Sequence, residues 1–301
     1  MRKHRLLTAT ALTLSLGLVA LAGGSGQAFA ATTISTATTA PVKTSVTGDL
    51  TVATAGSIAV TSGNAITVDS NNSVTLNGKI DMLKSADGST GILVDGGHTG
   101  NLTISANITV TDDWTQPDTN LDADGKAKPD GILEAPFSDG KTRYGIHSTG
   151  TTPFIGNVDI TSAIAVDGNN SYGVRFENKV QGTFTMDGVV TMNGDNNTAV
   201  SLENGATGAV YLSGAITSHG KDSSAVKLGG DFADNVIIDG TYTGTAYSTT
   251  ASLSQSTYEN LVPSLNLLQS GPLVTIAGNV SNGVLFGAAY TDTDSTNTDE
   301  D

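Results

Sequence analysis

The sequence contains no cysteine among its 301 residues, so neither disulfides nor thiolate metal sites can stabilise the fold. Aromatic residues make up 5% and charged residues 14% of the chain, whereas glycine occurs 36 times. This composition is untypical of a helical protein. A chain of this length without disulfides must instead bury a large core or bind ions.

The N-terminus has the three parts of a secretory signal peptide. Three of the first five residues are basic, positions 6–21 are mostly apolar, and Ala28-Phe29-Ala30 has the small-x-small form of a cleavage site. A transmembrane anchor is the disfavoured alternative, because hydroxyl side chains interrupt the apolar run and a Gly/Ser-rich stretch follows it. We therefore predict a signal peptide at 1–30 and export through the Sec pathway. The destination is the cell surface or the medium, or the periplasm if the chain ends at Asp301.

Basic residues are scarce. The chain has 14 Lys and Arg against 29 Asp and Glu, a formal net charge of −15. Cleavage of the signal peptide removes three basic and no acidic residues, which leaves 11 against 29 and a net charge of −18. Such a polyanion repels nucleic acids and anionic membranes. We therefore expect no nucleic-acid partner, whereas divalent cations suit this charge.

A repeat of fixed length runs through the middle of the chain. Equivalent segments begin at Gly156, Gly182, Gly208 and Asp234, and the intervals 182 − 156, 208 − 182 and 234 − 208 all equal 26. A constant period of this length is typical of solenoids and related arrays.

Each repeat contains three pairs of apolar residues, and one residue separates the two members of a pair. The first copy has Val158/Ile160, Ile164/Val166 and Val174/Phe176. Alternation with period two indicates short strands with one buried face. The polar turn before the third strand, 167–170 in this copy, is rich in Asp, Asn and Gly, which tolerate a left-handed backbone. We therefore predict an all-β fold, a right-handed parallel β-helix with three short strands per coil of about 26 residues. Its buried columns include Val174, Val200 and Val226.

The same register extends in both directions and sets the predicted domain boundaries. Ile66 and Ile92 are separated by the same interval, since 92 − 66 = 26, and the pair Val274/Ile276 repeats the pattern downstream. We predict a Thr/Ala-rich lead-in at 31–45 and an acidic tail at 291–301. Between them, a β-helix of seven or eight coils at 46–290 carries insertions at 112–141 and 244–271. Insertions in solenoids lie on one face and often carry the binding function.

The first insertion contains a candidate calcium loop. Oxygen-bearing residues alternate before Gly125 and one more follows: Asp118, Asn120, Asp122, Asp124 and Asp130. Alternate oxygen ligands before a glycine turn resemble the start of an EF-hand loop. Gly131 stands where that loop has its bidentate acid, so Asp130 is the candidate substitute. We predict that these five residues bind calcium; the alternative is an acidic loop without an ion.

Common catalytic motifs such as G-x-S-x-G, G-x-G-x-x-G and H-E-x-x-H are absent from the sequence. The three histidines after residue 30 (His98, His147 and His219) fall in different coils, and we expect them to serve solubility. The predicted third strands have polar outward positions, and acidic residues follow two of them: Arg175, Ser201, Lys227, Thr275, Glu177 and Glu203. The two basic residues form either a strip for an acidic sugar or a set of solvated charges. Three or more charged side chains converging in one groove would favour a polysaccharide-active enzyme, and dispersed charges a rod without catalysis.

Several segments resemble the passenger regions of large autotransporter-type proteins of alphaproteobacteria, the sphingomonads in particular. They are ITVDSNNSVTLNGKI, GNNSYGVRFENKVQGTFTMDGVVTMNGDNNTAV, LLQSGPLVTIAGNVSNGVLF and the closing DTDSTNTDED. The resemblance implies a β-helical passenger displayed outside the cell by a C-terminal outer-membrane barrel. No run of barrel-type strands follows Tyr290, so we expect this chain to be a truncated product or fragment, with the barrel as the membrane anchor of longer relatives.

These observations lead to one functional expectation and two alternatives. We expect a non-enzymatic, exported passenger module that acts in adhesion or cell-envelope contact, with an unknown glycan or protein as its surface ligand. The first alternative is a polysaccharide-active β-helix enzyme, either a lyase or a hydrolase. The second is a fragment with no function of its own.

Overall fold

The computed structural model describes residues 30–115, 138–246 and 270–287. In these ranges the chain forms three long parallel sheets, here called A, B and C, and one two-stranded parallel sheet. The predicted calcium ligands Asp118, Asn120, Asp122, Asp124 and Asp130 lie outside the described residues. The acidic tail and positions 1–29 also lie outside them.

All three sheets consist of short strands. Sheet A contains Thr32–Ile34, Leu50–Val52, Val74–Leu76, Leu102–Ile104, Val158–Ile160, Phe184–Met186, Val210–Leu212, Val236–Ile238 and Val284–Phe286. Sheet B contains Ala37–Thr38, Ser57–Ile58, Lys79–Met82, Ile108–Val110, Ala163–Asp167, Val189–Asn193, Ala215–His219 and Thr241–Thr245. Sheet C contains Val42–Lys43, Asn64–Val68, Thr90–Asp95, Tyr144–Thr149, Tyr172–Phe176, Thr198–Leu202, Ser224–Leu228 and Val274–Ile276. The small sheet pairs Phe154–Ile155 with Val180–Gln181.

Helix is almost absent from the described ranges. The described helix, Thr44–Thr47, has four residues and follows the first strand of sheet C. Within the described residues, no helix is long and apolar enough to cross a bilayer.

Over the described ranges, the chain passes through sheets A, B and C in that order eight times and then adds a ninth strand to sheet A. Each strand pairs in parallel with its equivalent in the neighbouring coil. The register Val158–Phe184–Val210–Val236 keeps the predicted interval between coils. At about 4.8 Å per strand, the nine strands of sheet A span roughly 38 Å. The predicted parallel β-helix with three strands per coil is confirmed.

The coils at the N-terminus are shorter than the rest. The interval from Thr32 to its partner Leu50 is 50 − 32 = 18, and the interval from Leu50 to its partner Val74 is 74 − 50 = 24. The first coil thus lies inside the segment 31–45 that was predicted to be a lead-in, so the β-helix begins at Thr32 rather than at residue 46. Its strands are rich in threonine and weak in apolar alternation. Backbone hydrogen bonds to the next coil, which depend little on side-chain type, hold them in place.

Inward side chains form continuous columns along the rod. Val174 pairs with Val200 and Val200 pairs with Val226, and all three are fully buried, which confirms the predicted column. Phe176 and Phe184 meet edge to face with ring centroids 5.9 Å apart. The ninth strand of sheet A is different, because Phe286 is 64% exposed. Within the described residues, the core is therefore closed along the earlier coils, whereas the side chains of this last strand are largely exposed.

The corner between sheets B and C has the predicted left-handed backbone. Asn170, Asn196 and Asp222 occupy equivalent positions in successive coils with φ of 52°, 58° and 58°. Side chains at this corner also link the coils, since the backbone N–H of Asp195 donates to Asn169 Oδ1 (2.8 Å) and that of Lys221 donates to Asp195 Oδ1 (2.9 Å). Each such bond contributes about 1 kcal/mol net, so the ladder favours this register over alternatives.

Both insertions interrupt the repeat at this same corner. The first lies between the strands Ile108–Val110 of sheet B and Tyr144–Thr149 of sheet C. The second lies between Thr241–Thr245 of sheet B and Val274–Ile276 of sheet C. Sheet C is therefore the sheet that the chain enters directly after each insertion.

A buried ion pair joins the two ends of the first insertion. Arg143 Nη1 lies 3.6 Å from Asp112 Oδ2, and both side chains are only 4% exposed. Arg143 Nη2 also donates to the carbonyl oxygen of Ser85, one coil earlier, at 2.6 Å. Asp112 accepts hydrogen bonds from the Ser138 hydroxyl and from the Gly140 N–H. These contacts fix the described residues on either side of the first insertion.

Candidate functional site

The outer face of sheet C presents two columns of polar and aromatic side chains. One column runs through Tyr144 and Tyr172, and its next two register positions are the buried Thr198 and Ser224. The other runs through His147, Arg175, Ser201, Lys227 and Thr275, of which Ser201 is buried. The column of Arg175, Ser201, Lys227 and Thr275 is the one that the sequence predicted.

A local break in strand alternation brings the tyrosines into this face. Gly145 and Ile146 are consecutive and both buried, so Tyr144 and His147 on either side of them both point outward. Only glycine fits at position 145, because a Cβ atom there would lie 2.5 Å from the side chain of Ile164. The next coil repeats the pattern with Gly173, whose Cβ would lie 2.7 Å from Val190.

The outward rings stack on one another along the rod. Tyr144 lies 4.0 Å from His147 with an interplanar angle of 10°, and 5.6 Å from Tyr172 with an angle of 5°. The guanidinium of Arg175 lies 4.6 Å from the centre of the Tyr172 ring. Contacts of this type each contribute roughly 0.5–1.5 kcal/mol. Because these contacts cover the ring faces, the face of sheet C offers ring edges to solvent rather than open aromatic platforms.

A chain of ionic contacts runs beside the rings. His147 Nε2 lies 3.0 Å from Glu177 Oε1, and Arg175 Nη1 lies 3.1 Å from the same oxygen. Arg175 Nε donates to Glu203 Oε1 at 2.7 Å. Four ionisable side chains from three successive coils therefore converge, and we call His147, Arg175, Glu177 and Glu203 the ionic cluster. Because two glutamates surround Arg175, its charge is not open to an acidic sugar, which argues against the basic strip, one of the two interpretations that the sequence left open.

Burial and mutual pairing set the protonation of the ionic cluster. Burial lowers the pKa of His147 below its ordinary value of 6.5, although the hydrogen bond with Glu177 opposes the shift. For Glu177 burial acts in the raising direction, but the hydrogen bond with His147 and the charge of Arg175 outweigh it, so its pKa lies below the ordinary value. Burial also raises the pKa of Tyr172. At neutral pH, His147 is thus neutral and Glu177 is ionised.

A shallow groove lies next to the ionic cluster on the same face. It encloses about 280 Å³, and its lining includes Tyr172, Ser201, Glu203, Lys227 and Thr275. We call it the sheet-C groove. Within the described residues, Lys227 takes part in none of the salt bridges. This groove therefore combines a free ammonium group, hydroxyl groups and one carboxylate.

The other predicted candidates are dispersed. In the described part of the chain, no three His, Asp or Glu side chains form a group that could hold a metal ion. His98 precedes sheet A, whereas His219 ends a strand of sheet B and contacts Thr245. The predicted calcium site lies outside the described residues and stays a prediction.

Sequence reasoning identified Arg175, Glu177 and Glu203 but missed their aromatic neighbours. Tyr144-Gly145-Ile146-His147 and Tyr172-Gly173-Val174-Arg175 share the order Tyr-Gly-aliphatic-base, and the interval between them is 172 − 144 = 28. That repeat would have revealed the two tyrosines and His147 as one surface. The repeat was not recognised because its interval is two residues longer than the period of the central coils.

Comparison of the chain with protein-family models, with curated proteins and with solved structures finds no match.

Proposed function

We propose that this chain is a non-enzymatic, exported β-helical passenger module of an autotransporter-like protein that acts in adhesion or cell-envelope contact. The observation that carries the proposal is the rod itself, in which both insertions fall between a strand of sheet B and the next strand of sheet C, at the corner beside the polar and aromatic face of sheet C. A solenoid that decorates one face in this way is suited to present a contact surface.

The rod needs no disulfide for its stability, which is compatible with export of a chain that contains no cysteine. Its fully buried columns and side-chain ladders hold successive coils without any disulfide. The residues after the proposed signal peptide carry a net charge of −18, which favours solubility and disfavours nucleic acid as a partner. The resemblance of the repeats to autotransporter passengers supports the same proposal.

One observation favours the enzymatic alternative. The ionic cluster brings Arg175, Glu177 and Glu203 together with His147, and convergence of three charged groups was the feature expected of a polysaccharide-active enzyme. Glycoside hydrolysis, however, needs a carboxylic acid whose pKa is raised so that it can donate a proton. The pKa of Glu177 is lowered instead. The contacts within the cluster are those of a structural ion-pair network, so the contact module is the better supported candidate.

Surface exposure in the native bacterium tests the proposal. Protease added to intact cells should degrade the chain, and cells that lack the gene should attach less well to a host or abiotic surface. Protection until the outer membrane is permeabilised would contradict surface display.

A separate assay tests the enzymatic alternative. The purified chain is incubated with neutral and acidic polysaccharides, and the release of reducing ends or unsaturated products is followed. We expect none. Turnover that disappears in Glu177→Gln would establish the enzyme and overturn the proposal.

A further inference from the structure

The sheet-C groove has the polar groups of a sugar-binding site. Its lining includes Ser201, Lys227 and Thr275 from three successive coils, adjacent in register on the outer face. Within the described residues, none of these three side chains has a hydrogen-bond or ion-pair partner among the contacts of this face. Lys227 and Thr275 are exposed, so one ammonium group and one hydroxyl are open to a ligand, and the Ser201 hydroxyl lines the groove although this residue is only 3% exposed.

Glu203 adds an acceptor at the side of the groove. It accepts from Arg175 through Oε1, which leaves Oε2 for another donor. A ligand in the groove thus meets a donor at Lys227, an acceptor at Glu203, and hydroxyls that do both. Vicinal sugar hydroxyls, each of which can donate and accept, match this mixture.

The charge of the groove and of the chain selects against ions. An acidic sugar near Lys227 would also meet Glu203 and the field of a chain with net charge −18. A cationic ligand near Glu203 would be repelled by the ammonium group of Lys227. A neutral ligand is repelled by neither the Glu203 carboxylate nor the Lys227 ammonium group. The groove volume of about 280 Å³ suits a single sugar residue rather than a larger ligand.

From these observations we infer that the sheet-C groove binds one neutral hexose-type residue of a glycan. The inference rests on the proposed contact function and names its ligand class. Because the tyrosine ring faces are covered, the sugar gains hydrogen bonds without aromatic stacking, and single-site affinity is in the millimolar range. Many copies of the module on one cell would raise the apparent affinity through avidity.

The experiment uses the purified full chain and ligand-observed NMR titration. The probes are the methyl glycosides of glucose, galactose and mannose, with N-acetylglucosamine, and the acidic comparators are glucuronic and galacturonic acid. At least one neutral sugar should bind with a millimolar Kd, and its uronic-acid counterpart should bind less tightly. If none of the neutral sugars binds, or if a uronic acid binds more tightly than its neutral counterpart, the inference is overturned.

Variants locate the site. Lys227→Met, Ser201→Ala and Thr275→Val should each weaken binding by roughly three- to tenfold, since each removes one hydrogen bond to the ligand. The matched controls Lys79→Met and Thr243→Val lie on the strands of sheet B and should bind like the wild type. Equal binding by all five variants would overturn the groove as the site.

The two proposals fail separately. If the chain is surface-exposed and promotes attachment, but Lys227→Met attaches as well as the wild type, only the sugar site is wrong. If a neutral sugar binds but protease cannot reach the chain on intact cells, only the contact function is wrong.

Discussion

Replacing Arg143 with methionine tests whether the first insertion is held by a buried charge pair. The guanidinium of Arg143 donates to the carbonyl oxygens of Ser85 (2.6 Å) and Asp167 (3.2 Å) and lies 3.6 Å from the carboxylate of Asp112. Methionine fills a similar volume but supplies neither charge nor donors. Asp112, only 4% exposed, would then be a buried carboxylate without its counter-ion.

The expected decrease in the free energy of unfolding is large for a single substitution. Removing one partner of a buried ion pair costs about 3–5 kcal/mol, because the remaining charge stays desolvated. Asp112 keeps its hydrogen bonds from Ser138 and Gly140, so we expect a value near the lower limit, about 3 kcal/mol. The free energy of unfolding is measured by urea denaturation followed by circular dichroism.

Two controls separate the charge effect from other losses. Lys79→Met removes an exposed ion pair with Asp81, whose lysine side chain is 60% exposed, and should cost no more than about 1 kcal/mol. The double variant Asp112→Asn/Arg143→Met removes the orphaned charge and should regain part of the stability. A loss below about 1 kcal/mol in Arg143→Met, or a double variant no more stable than Arg143→Met, would refute the reasoning.

Three further predictions follow from other parts of the rod. Val200→Ala, in a fully buried column, should cost roughly 2 kcal/mol, whereas Val189→Ala, 47% exposed, should change the denaturation midpoint little; equal effects would contradict the stacked core. Gly182→Ala should destabilise the rod because its Cβ would lie 2.2 Å from the carbonyl oxygen of Gly156, and an unchanged midpoint would show that the coils can move apart. Because the pKa of His147 in the folded chain lies below 6.5, the unfolded chain binds more protons below that pH, and stability should fall as pH drops from 6.5 towards the folded pKa. His147→Gln should flatten that part of the stability profile, and an unchanged slope would place its origin elsewhere.

The coil was predictable because its signal is local and repeated. Val174, Val200 and Val226 recur at the constant interval of the repeat, and each lies in an alternating apolar pair, so their shared column followed from spacing alone. The left-handed corner followed from the Asp, Asn and Gly at its positions in the same way. The first coil was missed because Thr32–Ile34 pairs through its backbone and carries little apolar signal.

The candidate site was only partly predictable. The outward positions of Arg175, Ser201 and Lys227 followed from strand alternation, and the structure confirms that they share one column. Their chemistry did not follow, since it depends on which side chains of neighbouring coils reach one another. A basic strip open to an acidic sugar was one of the two interpretations of Arg175 and Lys227, but Glu177 and Glu203 surround Arg175.

By itself, the sequence determined the strand period, the buried columns and the corners, because each depends on residue type at a fixed interval along one chain. Tertiary structure alone decided that Asp112 meets Arg143, that the rings of Tyr144 and Tyr172 stack, and that Lys227 stays free while Arg175 is paired. These outcomes depend on side-chain directions and distances between coils, which short-range sequence patterns do not encode. The physical reason is that burial columns repeat with the backbone, whereas polar contacts form wherever the folded coils bring complementary groups within reach.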